Sequence, residues 1–378
     1  MKCLLFTLAT LACTALAQDP SRGCPWSVVR ATGESIGGDQ HAAYYGLRLV
    51  PTPDDRLEVD AAFPHARYFS WTVYNHDGKL VASMNDRQIR PVRGKNPFHP
   101  GVPRHKTDIG RYRLTFQFKQ AAAEGVNTLH VPGGGGGRQF MVYYRVFDVD
   151  GLYRPGPLAA SGGVPAPMLR MYDAAGKSHC PDPPAPDEQP RPPAQRQPPA
   201  LNPPFWWNTG STTAETSWYS NEGVVYVASY FSSRYGPLCV LRWRPPQTPV
   251  EAFEGRPFPL GEEARFWSLD FSGENRIGVA DRDVPRLADG SRQLVVGFNG
   301  IEKPSFVPAN QWVGMKGKEA SVLFRIMLAA ENYRHNLAKL PAGPVPPEHV
   351  AIVPGGVYCT PEQLKENPNI GLRRGDSN

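Results

Sequence analysis

The sequence is short of the features that usually mark a reaction. It has no Cys-x-x-Cys, which removes the common structural zinc and dithiol redox motifs. Its nine histidines include no His-Glu-x-x-His and no tight pair along the chain, so no metal is expected, and no cofactor either. There is no Asn-x-Ser/Thr sequon and hence no sign of N-glycosylation. No run of five like charges occurs, and the formal net charge of +6 is modest for 378 residues. A nucleic-acid partner is therefore not expected; the charge supports only weak attraction to anionic polymers or surfaces. No transmembrane segment is expected, because nothing after the first 17 residues approaches the roughly 20 apolar residues of a spanning helix.

Those 17 residues read as a signal peptide: Lys2, an apolar stretch from Leu4 to Leu16, and Ala15-Leu16-Ala17 before Gln18. A secreted or periplasmic product is expected. Lipidation would use Cys13, but Thr10-Leu11-Ala12 is a poor approach to it. Four cysteines then remain, Cys24, Cys180, Cys239 and Cys359, an even number that favours disulfides in an exported chain.

What is present is a sequence written twice. Ala66-Arg67-Tyr68-Phe69-Ser70-Trp71 is answered by Ala264-Arg265-Phe266-Trp267-Ser268-Leu269, and Asn85-Asp86-Arg87 by Ala280-Asp281-Arg282. Arg113-Leu114-Thr115-Phe116 is echoed by Gln293-Leu294-Val295-Val296, and Val142 to Phe147 by Val322 to Met327. Four landmarks in one order point to a duplicated domain. The repeat selects Cys24 with Cys180 and Cys239 with Cys359, since each pair then brackets one copy.

The 41 prolines and 37 glycines favour strands and turns over long helices. Tyr68 to Tyr74 ends at the turn Asn75-His76-Asp77-Gly78, and Lys79 to Met84 reads as the return strand. Arg111 to Phe118 alternates at period two, while Arg138 to Val149 is longer, more apolar and hence central. From Pro181 to Pro204, 11 of 24 residues are proline, the composition of an extended spacer. Lys318 to Leu340 divides into a strand matching the one at Arg138 and a short helix. Thr360 to Lys365 reads as one helical turn with a Thr cap. The expected fold is all-β: two tandem antiparallel β-sandwich domains, jelly-roll-like, at 18–180 and 205–378, with few short helices.

Three motifs are set aside. Gly33-Glu34-Ser35-Ile36-Gly37 has the spacing of a nucleophile elbow, but no strand–helix context surrounds it, so it reads as a loop. Gly133 to Gly137 lacks the Lys-Ser/Thr and the helix of a phosphate cradle. Asp148-Val149-Asp150-Gly151 lacks the rest of a calcium loop.

The candidate site residues are the repeated charges: Arg67, Asp86, Arg87 and Arg145 in the first copy, Arg265, Asp281, Arg282 and Arg325 in the second. A lone charge inside an apolar strand is costly, so each needs a partner or a ligand. Bland structural bridges, copied with the domain, are the simpler explanation. The functional alternative is an Arg/Asp cluster that grips an anionic or sugar-like ligand through planar donors. Trp206, Trp207, Trp218 and Tyr219 could add a stacking platform.

Each copy resembles the β domain that forms the C-terminal half of a widespread, functionally uncharacterised family of exported bacterial proteins. The matching residues are Ser70 and Tyr74, Asp86-Arg87, Asn127-Thr128-Leu129 with Pro132, and Tyr144 to Phe147 in the first copy. In the second they are Ser268, Asp281-Arg282, Asn310-Gln311-Trp312 and Phe324 to Met327; the Leu-Pro after Trp312 and the final aromatic are missing. The resemblance implies a jelly-roll-like fold and export, and brings no activity.

The leading expectation is a binding protein for an extracellular polymer, such as a polysaccharide, or for a polar ligand. The alternatives are a carbohydrate-active lyase or hydrolase using Asp86 or Asp281, and a structural cell-surface module. An open cleft joining a carboxylate to Tyr or His favours the enzyme, and a flat aromatic strip favours binding. Burial of every Arg/Asp pair favours the structural role.

Overall fold

The period-two alternation near Arg111 produces a half-buried strand: Tyr112, Leu114 and Phe116 point inward while Arg111 and Arg113 meet solvent. The computed structural model describes residues 23–26, 28–30, 39–104, 110–119, 125–150, 158–181, 207–209, 220–249, 256–368 and 370. The first ten strands are β1 (Val28–Arg30), β2 (Ala42–Leu49), β3 (Arg56–Ala62), β4 (Ala66–Asn75), β5 (Leu80–Asn85), β6 (Arg111–Gln117), β7 (Thr128–His130), β8 (Phe140–Val149), β9 (Met168–Tyr172) and β10 (Ser178–His179). Ten more follow: β11 (Asn208–Thr209), β12 (Val224–Ser232), β13 (Leu238–Trp243), β14 (Phe266–Ser272), β15 (Arg276–Ala280), β16 (Arg292–Gly297), β17 (Trp312–Gly314), β18 (Glu319–Met327), β19 (Gly343–Pro344) and β20 (Gly355–Cys359).

These strands build four sheets, so the fold is all-β. The first half gives β1-β2-β8-β4-β5 and β10-β9-β3-β6-β7; the second gives β15-β14-β18-β12-β11-β19 and β17-β16-β13-β20. The order β2-β8-β4-β5 is thus matched by β12-β18-β14-β15, and β9-β3-β6-β7 by β20-β13-β16-β17. Pairing is antiparallel except at β6 with β7 and β16 with β17, where both halves carry a parallel pair. The longer apolar strand β8 is central, flanked by β2 and β4.

Each pair of sheets closes on its own core. In the first, Trp71 stacks on Tyr144 at 4.7 Å between ring centres, and its indole donates to the Tyr112 hydroxyl at 3.2 Å. In the second, Trp267 packs edge-on against Trp243 and Phe324. Aromatics of this size dominate the apolar area that holds each sandwich together.

Two expectations change. Cys24 and Cys180 are bridged, but Cys239 and Cys359 are free and buried. The reason is register. In β13 and β20, Cys239 faces Tyr358 and Cys359 faces Leu238, so the two thiols emerge on opposite faces of one sheet. Cys239 joins the inner core, whereas Cys359 packs on the outer face with Leu238 and Leu364. The helix expected after Met327 is also absent: only a three-residue 3₁₀ turn forms at Leu337–Lys339. The helical turn near the C-terminus does form, as α1 (Pro361–Glu366), with Thr360 and Gln363 making a reciprocal capping box. The signal segment, Cys13, the Gly33 to Gly37 motif and the proline tract after Pro181 lie outside the described residues.

Thiol titration of the denatured, unreduced chain from residue 18 onward should count Cys239 and Cys359 as reactive and find Cys24 and Cys180 protected. Replacing Cys24 with Ser should lower stability by roughly 2–5 kcal/mol in denaturant unfolding, the usual loss for a native bridge.

Candidate functional site at the junction of the two sandwiches

A strand sends alternate side chains to opposite faces, so a sheet with one face on a core must dispose of the other. Here the outer faces of β2-β8-β4-β5 and β12-β18-β14-β15 meet. Ala42, Tyr68 and Phe147 from the first half pack with Val224, Phe266, Ala280 and Met327 from the second. The approach is close. The Gly278 amide donates to the Gln40 side chain at 2.7 Å, and a Cβ on Gly278 would lie 2.6 Å from that side chain.

Around this apolar centre the repeated charges are exchanged between the halves. Arg67 donates to both oxygens of Asp281, at 2.5 and 2.7 Å, and to the backbone carbonyl of Arg265 at 2.7 Å. Arg265 returns the contact to the carbonyl of Arg67 at 3.2 Å and pairs with Asp86 at 3.7 Å. Arg282 reaches Asp148, and Arg87 reaches Glu262. Arg67, Arg265, Asp86 and Asp281 are fully buried. The carboxylates are held at hairpin exits, where the Asp86 amide donates to the Phe69 carbonyl and the Asp281 amide to that of Trp267, both at 3.1 Å.

Burial sets the electrostatics. Desolvation lifts the Asp86 carboxyl to about 6, against the pull of Arg265 and Arg87. It lowers Arg265 to about 10, partly offset by Asp86. Arg67 also loses hydration, but Asp281 and Asp148 outweigh that loss and hold it charged. These pairs are costly to form and costlier to break singly, since a lone buried charge has nowhere to go.

The last two repeated arginines belong to a different part of the junction. Arg145 lies level with Tyr44 and Ser70 across neighbouring strands, and Arg325 level with Tyr226 and Ser268. The Arg145 guanidinium donates to the Thr72 hydroxyl and sits 5.0–5.7 Å from the ring centres of Tyr143, Tyr74 and Tyr44. Arg325 pairs with Asp270 and stands 5.9 Å from the Tyr226 ring centre. Burial works against the Arg325 charge, and Asp270 and Asp39 more than compensate. Burial pushes the Tyr44, Tyr74 and Tyr226 hydroxyls above their ordinary range, so they stay protonated at neutral pH. Tyr44, Tyr143 and Tyr226 are half-buried, so their rings are partly open to solvent here.

All eight arginine and aspartate candidates therefore converge on one junction, six as a lattice and two beside tyrosines. The sequence reading missed Asp39, Asn221 and Glu262. Asp39 accepts from Ser268, and Asn221 donates to Ser70 at 3.0 Å; each stands five residues before its tyrosine, Tyr44 or Tyr226. The stacking platform does not form at Trp207, which is buried against Phe231 and Phe324 and donates to the Pro354 carbonyl. Trp206, Trp218 and Tyr219 lie outside the described residues. Among the described residues no three His, Cys, Asp or Glu side chains group as a metal site, and no helix is long and apolar enough to cross a membrane.

Arg67→Ala should cost about 3–5 kcal/mol in urea unfolding, because Asp281 is left charged and buried, while Arg67→Met with Asp281→Leu should lose much less. The sign of the Asp86 effect follows from its raised folded value. Stability from that carboxyl is present below about pH 4 and lost as pH rises through 6. Asp86→Asn should therefore flatten the decline between pH 4 and 6, as read from unfolding free energies at pH 4, 5 and 6.

No protein-family model matches the chain, and no curated protein does. Among solved structures it is similar to an uncharacterised protein from Burkholderia cenocepacia, with 11% identity, a TM-score of 0.48, and coverage of 83% of this chain and 77% of that one. A protein from Vibrio parahaemolyticus gives 11% identity and a TM-score of 0.48, covering 84% of this chain and 91% of that one. Neither likeness speaks to a function.

Proposed function

We propose that the chain is an exported, non-catalytic binding protein, with two copies of one β unit locked together by buried ion pairs. Its ligand is a polar, anionic or sugar-like group, free or carried on an extracellular polysaccharide, held at the tyrosine-lined part of the junction. The observation that carries this is the pairing of Arg145 and Arg325 with the half-buried Tyr44, Tyr143 and Tyr226. Planar guanidinium donors beside aromatic faces suit carboxylates and sugar rings. Matching strand order in the two halves and reciprocal contacts support the duplication, and with it a domain boundary at the proline tract, 181–204. The Cys24–Cys180 bridge fits a secreted or periplasmic location.

The lyase or hydrolase alternative needs an acid that touches substrate. Asp86 and Asp281 are fully buried behind arginines, which counts against both. The same burial supports the second reading, a structural cell-surface module, for the lattice itself.

The test is a panel of glycans and polyanions scored for retention and for product. Retention without turnover is expected, with Tyr143→Ala and Tyr226→Ala each weakening it by about tenfold or more, the loss typical of an aromatic anchor. Turnover of any panel member would hand the reading to the enzyme. A wholly silent panel would leave the structural module.

A further inference from the structure

After β18 the chain makes a loop that returns to β20 and brings two histidines together at a distance from the junction site. His335 follows Arg334 and stands one residue before the cap of the turn at Leu337–Lys339; His349 lies in the 3₁₀ segment Pro347–Ile352. Their Nδ1 atoms face each other 3.3 Å apart, with ring planes at 86° and ring centres 5.4 Å apart. Both residues are half-buried, so solvent can reach them.

That separation fits a weak N–H···N hydrogen bond between the two rings, though not that alone. It matches another geometry. Two nitrogens bound about 2.0–2.1 Å from one tetrahedral ion are held about 3.3–3.4 Å apart, the edge of the tetrahedron. Imidazole pairs suit zinc, nickel and copper, and do not suit the hard cations that prefer oxygen.

We propose that His335 and His349 form a two-histidine edge for a borderline divalent transition metal, with water on the open positions. Arg334 opposes the metal: its Nε donates to His335 Nε2 at 2.7 Å, fixing the proton on Nδ1, the atom the metal needs. Arg334 is exposed, so on loading it can swing out while the His335 proton moves to Nε2. No proton need be released, and one cation–imidazole contact is exchanged for two metal–nitrogen bonds. With two protein ligands in place of three or four, affinity on the order of 10 μM is expected.

The test uses the full mature chain and cobalt(II), nickel(II) and zinc(II) in turn. Calorimetry should find one site per chain, and cobalt should show visible bands that shift when zinc displaces it. His335→Ala and His349→Ala should each weaken binding at least tenfold with the thermal midpoint unchanged. Arg334→Ala should tighten binding by about threefold to tenfold, the reverse of what a histidine pair held only by its hydrogen bonds would give. Absence of heat and of cobalt bands, or binding that survives both histidine variants, would overturn the proposal. The junction ligand plays no part in these readouts, so either reading can fail alone.

Discussion

Everything in this fold turns on the fact that each arginine of the lattice reaches a carboxylate of the other half, Arg67 and Arg265 also keeping one in their own, Asp148 and Glu262. Arg67 belongs to β4 and its partner Asp281 stands beyond β15; Arg265 and Asp86 repeat the exchange in reverse. Breaking one member strands a buried charge, while separating the sandwiches gives up every cross-junction pair at once. The junction is therefore either whole or absent, which ties the two cores into one cooperative unit despite their separate apolar clusters. Apolar packing alone, through Tyr68, Phe147, Phe266 and Met327, would bring the same faces together with much less directional control.

Reciprocity also explains details that a single sandwich would not need. Asp148 and Leu328 close the central strands β8 and β18 with the same unusual backbone, φ of 51° and 47°. Each sends its amide to a carbonyl on the neighbouring strand side, that of His41 or of Gly223. A left-handed conformation is uncommon for any non-glycine residue and unfavourable for leucine. Its recurrence at matched positions, each held by a hydrogen bond within its own half, shows that side-chain preference yields there to the backbone path.

Much of this was legible in the sequence, for physical reasons. Period-two burial fixed β6, the unbroken apolar run fixed β8, and the Thr360 cap with its following Pro fixed α1. The repeated charges picked out eight residues of the junction, although Asp86, Arg87, Asp281 and Arg282 stand just past their strands. What could not be read was the partner of each charge. Asp86 and Arg87 are adjacent in the chain, which suggests a local pair, yet they turn to Arg265 and Glu262 across the junction. Cys239 and Cys359 failed on a subtler point: sequence brackets a domain, but a one-residue register decides which face of the sheet a thiol leaves from. Asp39 and Asn221 gave a faint signal, since each lies five residues before its tyrosine, but an acid matched with an amide does not look like a repeat.

Such mismatches between the halves separate the ion-pair lattice from the tyrosine-lined part of the junction. In the lattice the exchange is nearly even, with Arg67 and Arg265 both at zero exposure. Beside the tyrosines it is not. Arg145 contacts the neutral Thr72, whereas Arg325 contacts the charged Asp270, the residue at the matching place in β14. Asp270 is pushed up to about 6 by burial, with Arg325 pulling the other way. A ligand lying across the two arginines would meet a guanidinium set among a hydroxyl and tyrosine rings at one end and one answered by a carboxylate at the other. The two-fold likeness of the halves would not make its two orientations equivalent.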